Sequence, residues 1–359
     1  MGSLGYLDDD HMSPSCKVLL AGTLSKNLLS EVKEGVAKLN RAPLLVGFLS
    51  SSDPAARVYA DWTAKTAREN GFSYELREAP REDLEEEILK ANTDPAVDGI
   101  MVYYPIFGDR QDQYLQQIVD VSKDVEGLGH RYIFNMYQNI RFLDNANTKK
   151  SILPCTPLAI IKILEHLQIY NTILPEQNRL HGRTITVINR SEVVGRPLAA
   201  LLANDGARVY SVDINDVQEF SRGVGLRKRR HEAVEKVGWT LKNCLPISDI
   251  VISGVPGDAF KVPLDLLRDG AVCINFSSEK NFAAPEVKEK ASIYIPSIGK
   301  MTIVVLLRNL LRIVNNRADQ KMNGLKAKGT TNGVTPADLE AKKQTGKEIV
   351  DGFLPTTSS

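Results

Sequence analysis

The chain has 359 residues, too many for one small core, so two domains are expected. Its formal charge of +1 gives no electrostatic case for nucleic acid, and no apolar run approaches the ~18–20 residues of a membrane span. Cys16, Cys155, Cys244 and Cys273 form no C-x-x-C pair and the five histidines are dispersed, which excludes a disulfide framework and a spaced metal site and fits a reducing, cytoplasmic setting.

Met1 to Ser15 carry Asp8, Asp9 and Asp10 without an apolar or Arg-rich segment, so residues 1–15 read as a flexible leader and not a targeting peptide. From Val18 to Tyr104 strands and helices alternate. Leu44 to Leu49 reads as a buried strand. Asp53 and Pro54 supply an N-cap and a first-turn proline for a helix through about Asn70. Tyr74 to Arg77 suggests a strand, Arg81 to Asn92 a charged helix, and Gly99 to Tyr104 another buried strand. This alternation predicts a mostly parallel α/β sheet. Thr156-Pro157 repeats the cap-plus-proline device ahead of an apolar helix to about Leu167, read as the crossing between domains.

A second α/β unit follows, with strands expected near 184–188, 207–212, 249–253, 271–276 and 293–295. Thr302 to Val314 is apolar on most of a helical surface and is expected to be buried. Beyond it Lys, Gly, Thr, Asn and Gln dominate, so 315–359 reads as a disordered tail. Arg227 to Arg230 is a basic run that reads either as a nuclear signal or, preferably, as a solvated face on a surface insertion.

The most informative segment lies at 184–213. A β-branched strand, Thr184 to Ile188, is followed by a polar loop with Arg190, Ser191 and Gly195. An apolar helix containing Pro197 comes next, and a second strand ends in Asp213. A strand delivering the chain to a helix N-terminus is the layout of a dinucleotide site, where free N–H groups face a pyrophosphate. An acid ending the second strand accepts ribose hydroxyls and repels a 2′-phosphate, which points to NAD over NADP. The loop lacks a full G-x-G-x-x-G, and an ordinary α/β crossover is the alternative.

Five stretches then combine in order: Asp53-Pro54-Ala55 with Tyr59, Val102 to Pro105, Lys123 to Leu128, Pro154-Cys155-Thr156-Pro157, and Asn189-Arg190-Ser191 with Val194 to Pro197. From about Cys16 to Val314 the chain resembles the methylenetetrahydrofolate dehydrogenase/cyclohydrolase family, and within it the NAD-dependent, dehydrogenase-only branch. The resemblance implies two α/β domains flanking a cleft. A catalytic, folate-binding domain would span 16–155 and be completed by a helix at 299–314. A Rossmann-type NAD-binding domain would span 156–298. It also implies a homodimer through the nucleotide domains, with no nucleic-acid or membrane partner.

The implied reaction moves a hydride from the one-carbon bridge of 5,10-methylenetetrahydrofolate to NAD+. The flanking nitrogens help expel that hydride, so the protein supplies orientation and electrostatics and needs no metal. Tyr59 matches the family's active-site tyrosine, able to stack on a flat ring. On pattern alone it shares a helical stripe with Trp62, Thr63 and Thr66 and reads as core. Bifunctional members carry a cyclohydrolase lysine at the position of Thr63, and Lys65 is rotated ~200° away along the helix. Tyr103 stands where those members have glutamine, and Glu126 where they have aspartate. Glu126 is expected to bond the pterin edge, a satisfied loop residue being the alternative. Cys155 is a cleft candidate or a structural cysteine, since a reactive thiol needs an electropositive setting. Cofactor contacts are expected from Arg190, Ser191, Gly195, Asp213 and Ile214. The loop Gly254-Val255-Pro256 and the strand end Asn275-Phe276 are expected to add to them. At Ser297-Ile298 the family's double glycine is absent. A bifunctional enzyme and a non-catalytic folate-binding protein remain the competing functions.

Overall fold

The computed structural model describes residues 16–51, 53–223 and 227–330, with 319–330 described by backbone alone. The proposed leader, 1–15, and the chain beyond Thr330 lie outside the described residues.

The first half builds a three-stranded parallel sheet in the order β3-β2-β4. After a two-residue strand β1 (Lys17–Val18) come α1 (Ala21–Leu24), α2 (Lys26–Ala37), β2 (Leu44–Leu49), α3 (Pro54–Glu69), β3 (Ser73–Glu78), α4 (Leu84–Thr93) and β4 (Gly99–Val102). β2 is central, and Leu45, Val46 and Phe48 are buried on both faces, which explains its unbroken apolar run. Asp53 caps α3 as the sequence predicts, its carboxylate accepting the Ala55 N–H at 2.9 Å. Two helices follow, α5 (Arg110–Ile118) and α6 (His130–Tyr137).

Helix α7 (Cys155–His166) buries Leu158, Ile160, Ile161, Ile163 and Leu164 around nearly its whole circumference. It begins at Cys155, behind Pro154, with no side-chain cap, so Thr156 is not the cap that its sequence suggested. Pro157 costs no hydrogen bond there, because a first-turn N–H has no intrahelical acceptor.

The second half forms an eight-stranded sheet ordered β1-β11-β10-β9-β5-β6-β7-β8. Its parts are β5 (Thr184–Ile188), α8 (Gly195–Asn204), β6 (Arg208–Val212), β7 (Val217–Ser221), β8 (Glu232–Glu235), α9 (Leu241–Cys244), β9 (Ile250–Ser253), β10 (Ala271–Asn275), α10 (Val287–Lys290) and β11 (Ala291–Ile295). β5 pairs in parallel with β6 on one side and β9 on the other, so the strand order reverses at β5. β7 and β8 are antiparallel and lie outside the predicted strand set. Only Val217 and Phe220 of β7 turn inward, too few apolar residues for a readable alternation. The basic run Arg227 to Arg230 is exposed just ahead of β8, in keeping with a solvated face.

Described residues through Val314 pack as one unit, and Asn315 onward forms another. Within the first unit one apolar cluster joins both sheets through α7 and the helix α11 (Gly299–Thr330). α11 starts at Gly299, three residues ahead of the apolar stretch that begins at Thr302. It runs past Val314, so 315–330 is helical where an irregular tail was expected. β1 sits at the edge of the second sheet, so residues 17 and 18 cross the expected domain boundary. No helix among the described residues is long and apolar enough to cross a membrane.

Candidate active site

The carboxyl ends of β5, β6 and β9 open onto a cavity of about 1100 Å³. In an open parallel sheet, ligands bind where the strand order reverses. The loop after β5 gives Asn189, Arg190 and Ser191, the loop after β6 gives Asp213, Ile214 and Asp216, and the loop after β9 gives Val255 and Pro256. Ile214 is 95% exposed, an apolar side chain with no packing partner of its own, suited to cover a flat base. Two glycines allow the backbone to close here. A Cβ on Gly195 would lie 1.8 Å from the Asn189 carbonyl oxygen, and one on Gly254 would lie 1.9 Å from the Phe276 ring. Asn189 takes a φ of 104° and spans the site, donating from Nδ2 to the Gly254 carbonyl at 2.6 Å and accepting the Ser191 N–H at 2.7 Å.

Arg190 is held inside this wall. Its Nη1 pairs with Asp216 at 2.6 Å, Nε donates to the Ser211 hydroxyl at 3.0 Å, and Nη2 donates to the Ser211 carbonyl at 2.6 Å. The guanidinium beside it holds the Asp216 carboxyl below its usual range. Asp213 is exposed at the strand end, with its Oδ1 accepting the Ile214 N–H. Asp216 was missed by the sequence reading. Its one signal is position, three residues beyond the acid that ends β6. Size, apolar cover and acidic rim together fit a dinucleotide with a free ribose 2′-OH.

Two expectations are corrected. The first turn of α8 does not offer the row of free N–H groups that the motif implied. Ser191 Oγ accepts Val194 N–H and Gly195 N–H at 3.3 Å each, Arg196 N–H donates to the Ser191 carbonyl, and Pro197 has no N–H. Nor does Asn275 line the cavity. It is buried, and its Nδ2 donates to the Ser277, Glu279 and Pro296 carbonyls, so it ties loops together. Phe276 acts through its packing on Gly254.

The second group of predicted residues gathers where α3, the end of β4 and the start of α7 meet. Tyr59 is half-buried, with its ring edge-on to Tyr103 at 6.1 Å between centroids. Burial pushes its phenol well up, and the neighbouring Cys155 and Glu126 add to this, so it stays a neutral donor. Glu126 accepts the Val102 N–H at 3.0 Å. Burial, then the Asp124 carboxylate, raise it to about 8 against the pull of that N–H. Its loop is shaped by buried Asp124, which accepts the Gly127 and Gly129 N–H groups at 2.8 Å. Gly127 has a φ of 69° and packs so tightly that a Cβ would meet the Leu153 carbonyl carbon at 2.8 Å.

Thr63 is fully buried beneath Tyr59, its hydroxyl donating to the Tyr59 carbonyl at 2.8 Å. Beside it the Tyr103 and Tyr74 hydroxyls share a hydrogen bond of 2.7 Å. A Cβ on Gly47 would meet the Tyr74 oxygen at 2.5 Å, so only glycine leaves room for this pair. The core stripe of α3 is therefore Ala60, Thr63 and Ala67, while Trp62 is exposed. Lys65 is exposed on another face, near Glu69.

Cys155 is buried, with its Sγ donating to the Val125 carbonyl at 3.4 Å. Burial first, then Glu126 and Asp124, push the thiol far up, so it is not a reactive thiolate. Asn309 of α11, which the sequence reading passed over, donates Nδ2 to the Val125 carbonyl at 2.9 Å and the Leu153 carbonyl at 3.0 Å. It staples the Glu126 loop to the start of α7. Among the described residues no group of three or more His, Cys, Asp or Glu is arranged to hold a metal ion.

Two family models match this chain. Residues 19–126 match the tetrahydrofolate dehydrogenase/cyclohydrolase catalytic domain, and residues 154–223 match the NAD(P)-binding domain of the same family. The chain is 59% identical over 309 residues to a Schizosaccharomyces pombe protein named methylenetetrahydrofolate dehydrogenase [NAD(+)], covering 86% of this chain and 96% of that one. It is 54% identical over 315 residues to the Saccharomyces cerevisiae protein of the same name, covering 85% and 98%. Among solved structures it is similar to the NAD-dependent 5,10-methylenetetrahydrofolate dehydrogenase of Saccharomyces cerevisiae, with 52% identity, a TM-score of 0.82, and 86% and 99% of the two chains covered.

Proposed function

The chain belongs to the tetrahydrofolate dehydrogenase/cyclohydrolase family, and we propose that it is an NAD-dependent methylenetetrahydrofolate dehydrogenase without cyclohydrolase activity. It oxidises 5,10-methylenetetrahydrofolate to the methenyl cation, within the one-carbon metabolism that supports purine synthesis. NAD+, when bound, supplies the hydride acceptor.

The protein's own groups orient and stabilise. The cavity over β5, β6 and β9 takes the dinucleotide, with Asp213 toward the ribose hydroxyls and Ile214 against the base. Tyr59 offers a ring for stacking on the folate and a hydroxyl that stays protonated. Glu126 binds the pterin edge, where the ring's two adjacent N–H donors suit an ionised carboxylate. No proton has to be removed from the one-carbon centre, which suits a site with no thiolate at Cys155.

The observation that carries the dehydrogenase-only reading is the closed cluster of Thr63, Tyr103 and Tyr74. Hydrolysis of the methenyl cation requires water activation and proton transfers, and a placed acid–base group there is worth ~10²–10⁴-fold. Thr63 has no useful proton affinity, and the phenols are held neutral by burial. A single spectroscopic assay tests the proposal. NAD-dependent methenyl formation is expected; methenyl decay above the buffer rate would instead mean a bifunctional enzyme, and neither signal a binding protein.

The two-domain division at about residue 155, a homodimer through the nucleotide domains and a cytoplasmic location complete the proposal. They rest on the family resemblance. Sedimentation of the purified chain tests the dimer, and microscopy of a tagged copy tests the location.

A further inference from the structure

Arg308 and Arg312 lie four positions apart on α11 and so share one helical face. Both line a cavity of about 190 Å³ together with Arg141, Lys150 and Arg179. Like charges one turn apart repel, and burying a guanidinium without a partner is costly. Little of this cost is offset among the described residues. Arg312 Nη1 meets only the Ser151 carbonyl, at 3.5 Å. Arg308 has no hydrogen bond or ion pair, and Glu31 and Glu165 act on it only from a distance. Burial lowers both groups, and for Arg312, lowered to about 10, the neighbouring Arg308 adds to the effect. Across the cavity Arg179 Nε is buried with no partner.

Three carboxylates lie in the same wall, of which Glu176 is exposed and Asp205 and Glu165 are engaged. Asp205 accepts from Arg141 at 2.7 Å and from the Tyr170 hydroxyl at 3.0 Å, and Glu165 pairs with Lys162 at 2.5 Å. The cavity is thus left with an excess of fixed donors and positive charge. Guanidinium groups that line one cavity from α11 and from the loop before β5 match a tetrahedral dianion, whose oxygens accept several N–H groups at once.

We propose that this cavity binds a phosphate-sized oxyanion, free or as the terminal group of a phosphomonoester, through Arg308, Arg312 and Arg179. It shares no lining residue with the dinucleotide cavity, and the proposal does not depend on the dehydrogenase reading.

The test uses the full chain, saturated with NAD+ so that the dinucleotide site is filled, at constant ionic strength. Titration calorimetry with inorganic phosphate should give saturable binding, and phosphate should raise the thermal midpoint. In Arg308→Gln/Arg312→Gln the affinity should fall at least about tenfold and the phosphate-dependent rise in midpoint should vanish. Without phosphate that variant should melt no lower than the parent, because a like-charge repulsion is gone. If the double variant does not fold, Lys150→Gln at the exposed edge should still weaken binding a few-fold. Competition by glycerol phosphate would support a phosphomonoester as the ligand, and its absence free phosphate. No saturable binding, or equal affinity in parent and variants, would overturn the proposal.

Discussion

Arg190 and Asp216 form an ion pair of 2.6 Å in the wall of the nucleotide cavity, with the guanidinium mostly buried and tied twice more to Ser211. The arginine's charge is thus already matched and its donors already used. A 2′-phosphate would meet Asp213 at the strand end and gain little from Arg190. The proposed preference for NAD+ would thus have two parts, a repelling acid and a neutralised cation.

Asp213→Ser should narrow the preference for NAD+, and adding Asp216→Asn should narrow it further by releasing Arg190. Each step is expected to shift the NADP+/NAD+ ratio of kcat/KM by about tenfold, since ~1.4 kcal/mol corresponds to one decade. Steady-state kinetics with both cofactors checks this. An unchanged ratio in the double variant would remove Asp216 from the account.

Gly254→Ala should weaken NAD+ binding with little change in folate KM. The new methyl would lie 1.9 Å from the Phe276 ring, so the loop carrying Val255 and Pro256 must move. A several-fold rise in KM for NAD+ is expected, and an unchanged value would mean that Phe276 swings away freely.

Glu126 gives the pH dependence. Its carboxyl is raised to about 8 by burial and by Asp124. With the ionised form binding the pterin donors, kcat/KM for the folate should rise with pH through about 8, and this inflection should be absent in Glu126→Gln. Stability runs the other way. Below about 4.5 the group is protonated in both folded and unfolded chains. Between about 4.5 and about 8 only the folded chain keeps the proton, so Glu126's contribution to stability declines as pH rises. Denaturant midpoints of parent and Glu126→Gln across that range measure the difference.

Buried parallel strands were legible as unbroken runs, apolar in Leu44–Leu49 and β-branched in Thr184–Ile188, the latter leading into the cavity. Asp53 and Pro54 announced α3 by local chemistry alone. The β7–β8 hairpin was not legible, because it is half-exposed and polar at the sheet edge. The helical continuation of α11 past Val314 was hidden by a composition poor in apolar residues. At the site, motif residues such as Tyr59 and Asp213 were readable in sequence, whereas Asp216, Tyr74 and Asn309 matter through partners distant along the chain. Tyr74 meets Tyr103, and Asn309 meets Val125 and Leu153. Nothing in local sequence encodes such pairings.

Asn309→Leu should disturb the Glu126 loop by leaving the Val125 and Leu153 carbonyls without their shared donor. Val125 keeps the Cys155 thiol, and the loss of the Leu153 carbonyl's partner costs ~1–3 kcal/mol. A lower thermal midpoint and a raised folate KM are expected, with KM for NAD+ nearly unchanged. Equal rises in both would assign Asn309 to general stability.

The purified protein should accelerate NADH formation from methylenetetrahydrofolate but leave methenyltetrahydrofolate decay at the buffer rate when no nicotinamide is present. Thr63→Lys should not create hydrolysis. The position is fully buried, capped by Tyr59 and flanked by the hydrogen-bonded Tyr103–Tyr74 pair. A lysine there would have to bury its charge or lose its proton, and its volume exceeds the space that threonine fills. Overpacking alone costs ~1–3 kcal/mol, and an unpaired buried charge adds to it. Lower stability and reduced dehydrogenase activity are therefore expected. Opening the cluster by Thr63→Lys/Tyr103→Gln should recover part of the stability, because the glutamine vacates ring volume and offers the ammonium an acceptor. It should also give the first detectable cyclohydrolase activity, since groups that act as a unit fail singly. Enzyme-dependent methenyl decay in the parent, at a rate comparable with dehydrogenation, would show that Thr63 and its tyrosines do not shut the hydrolytic path.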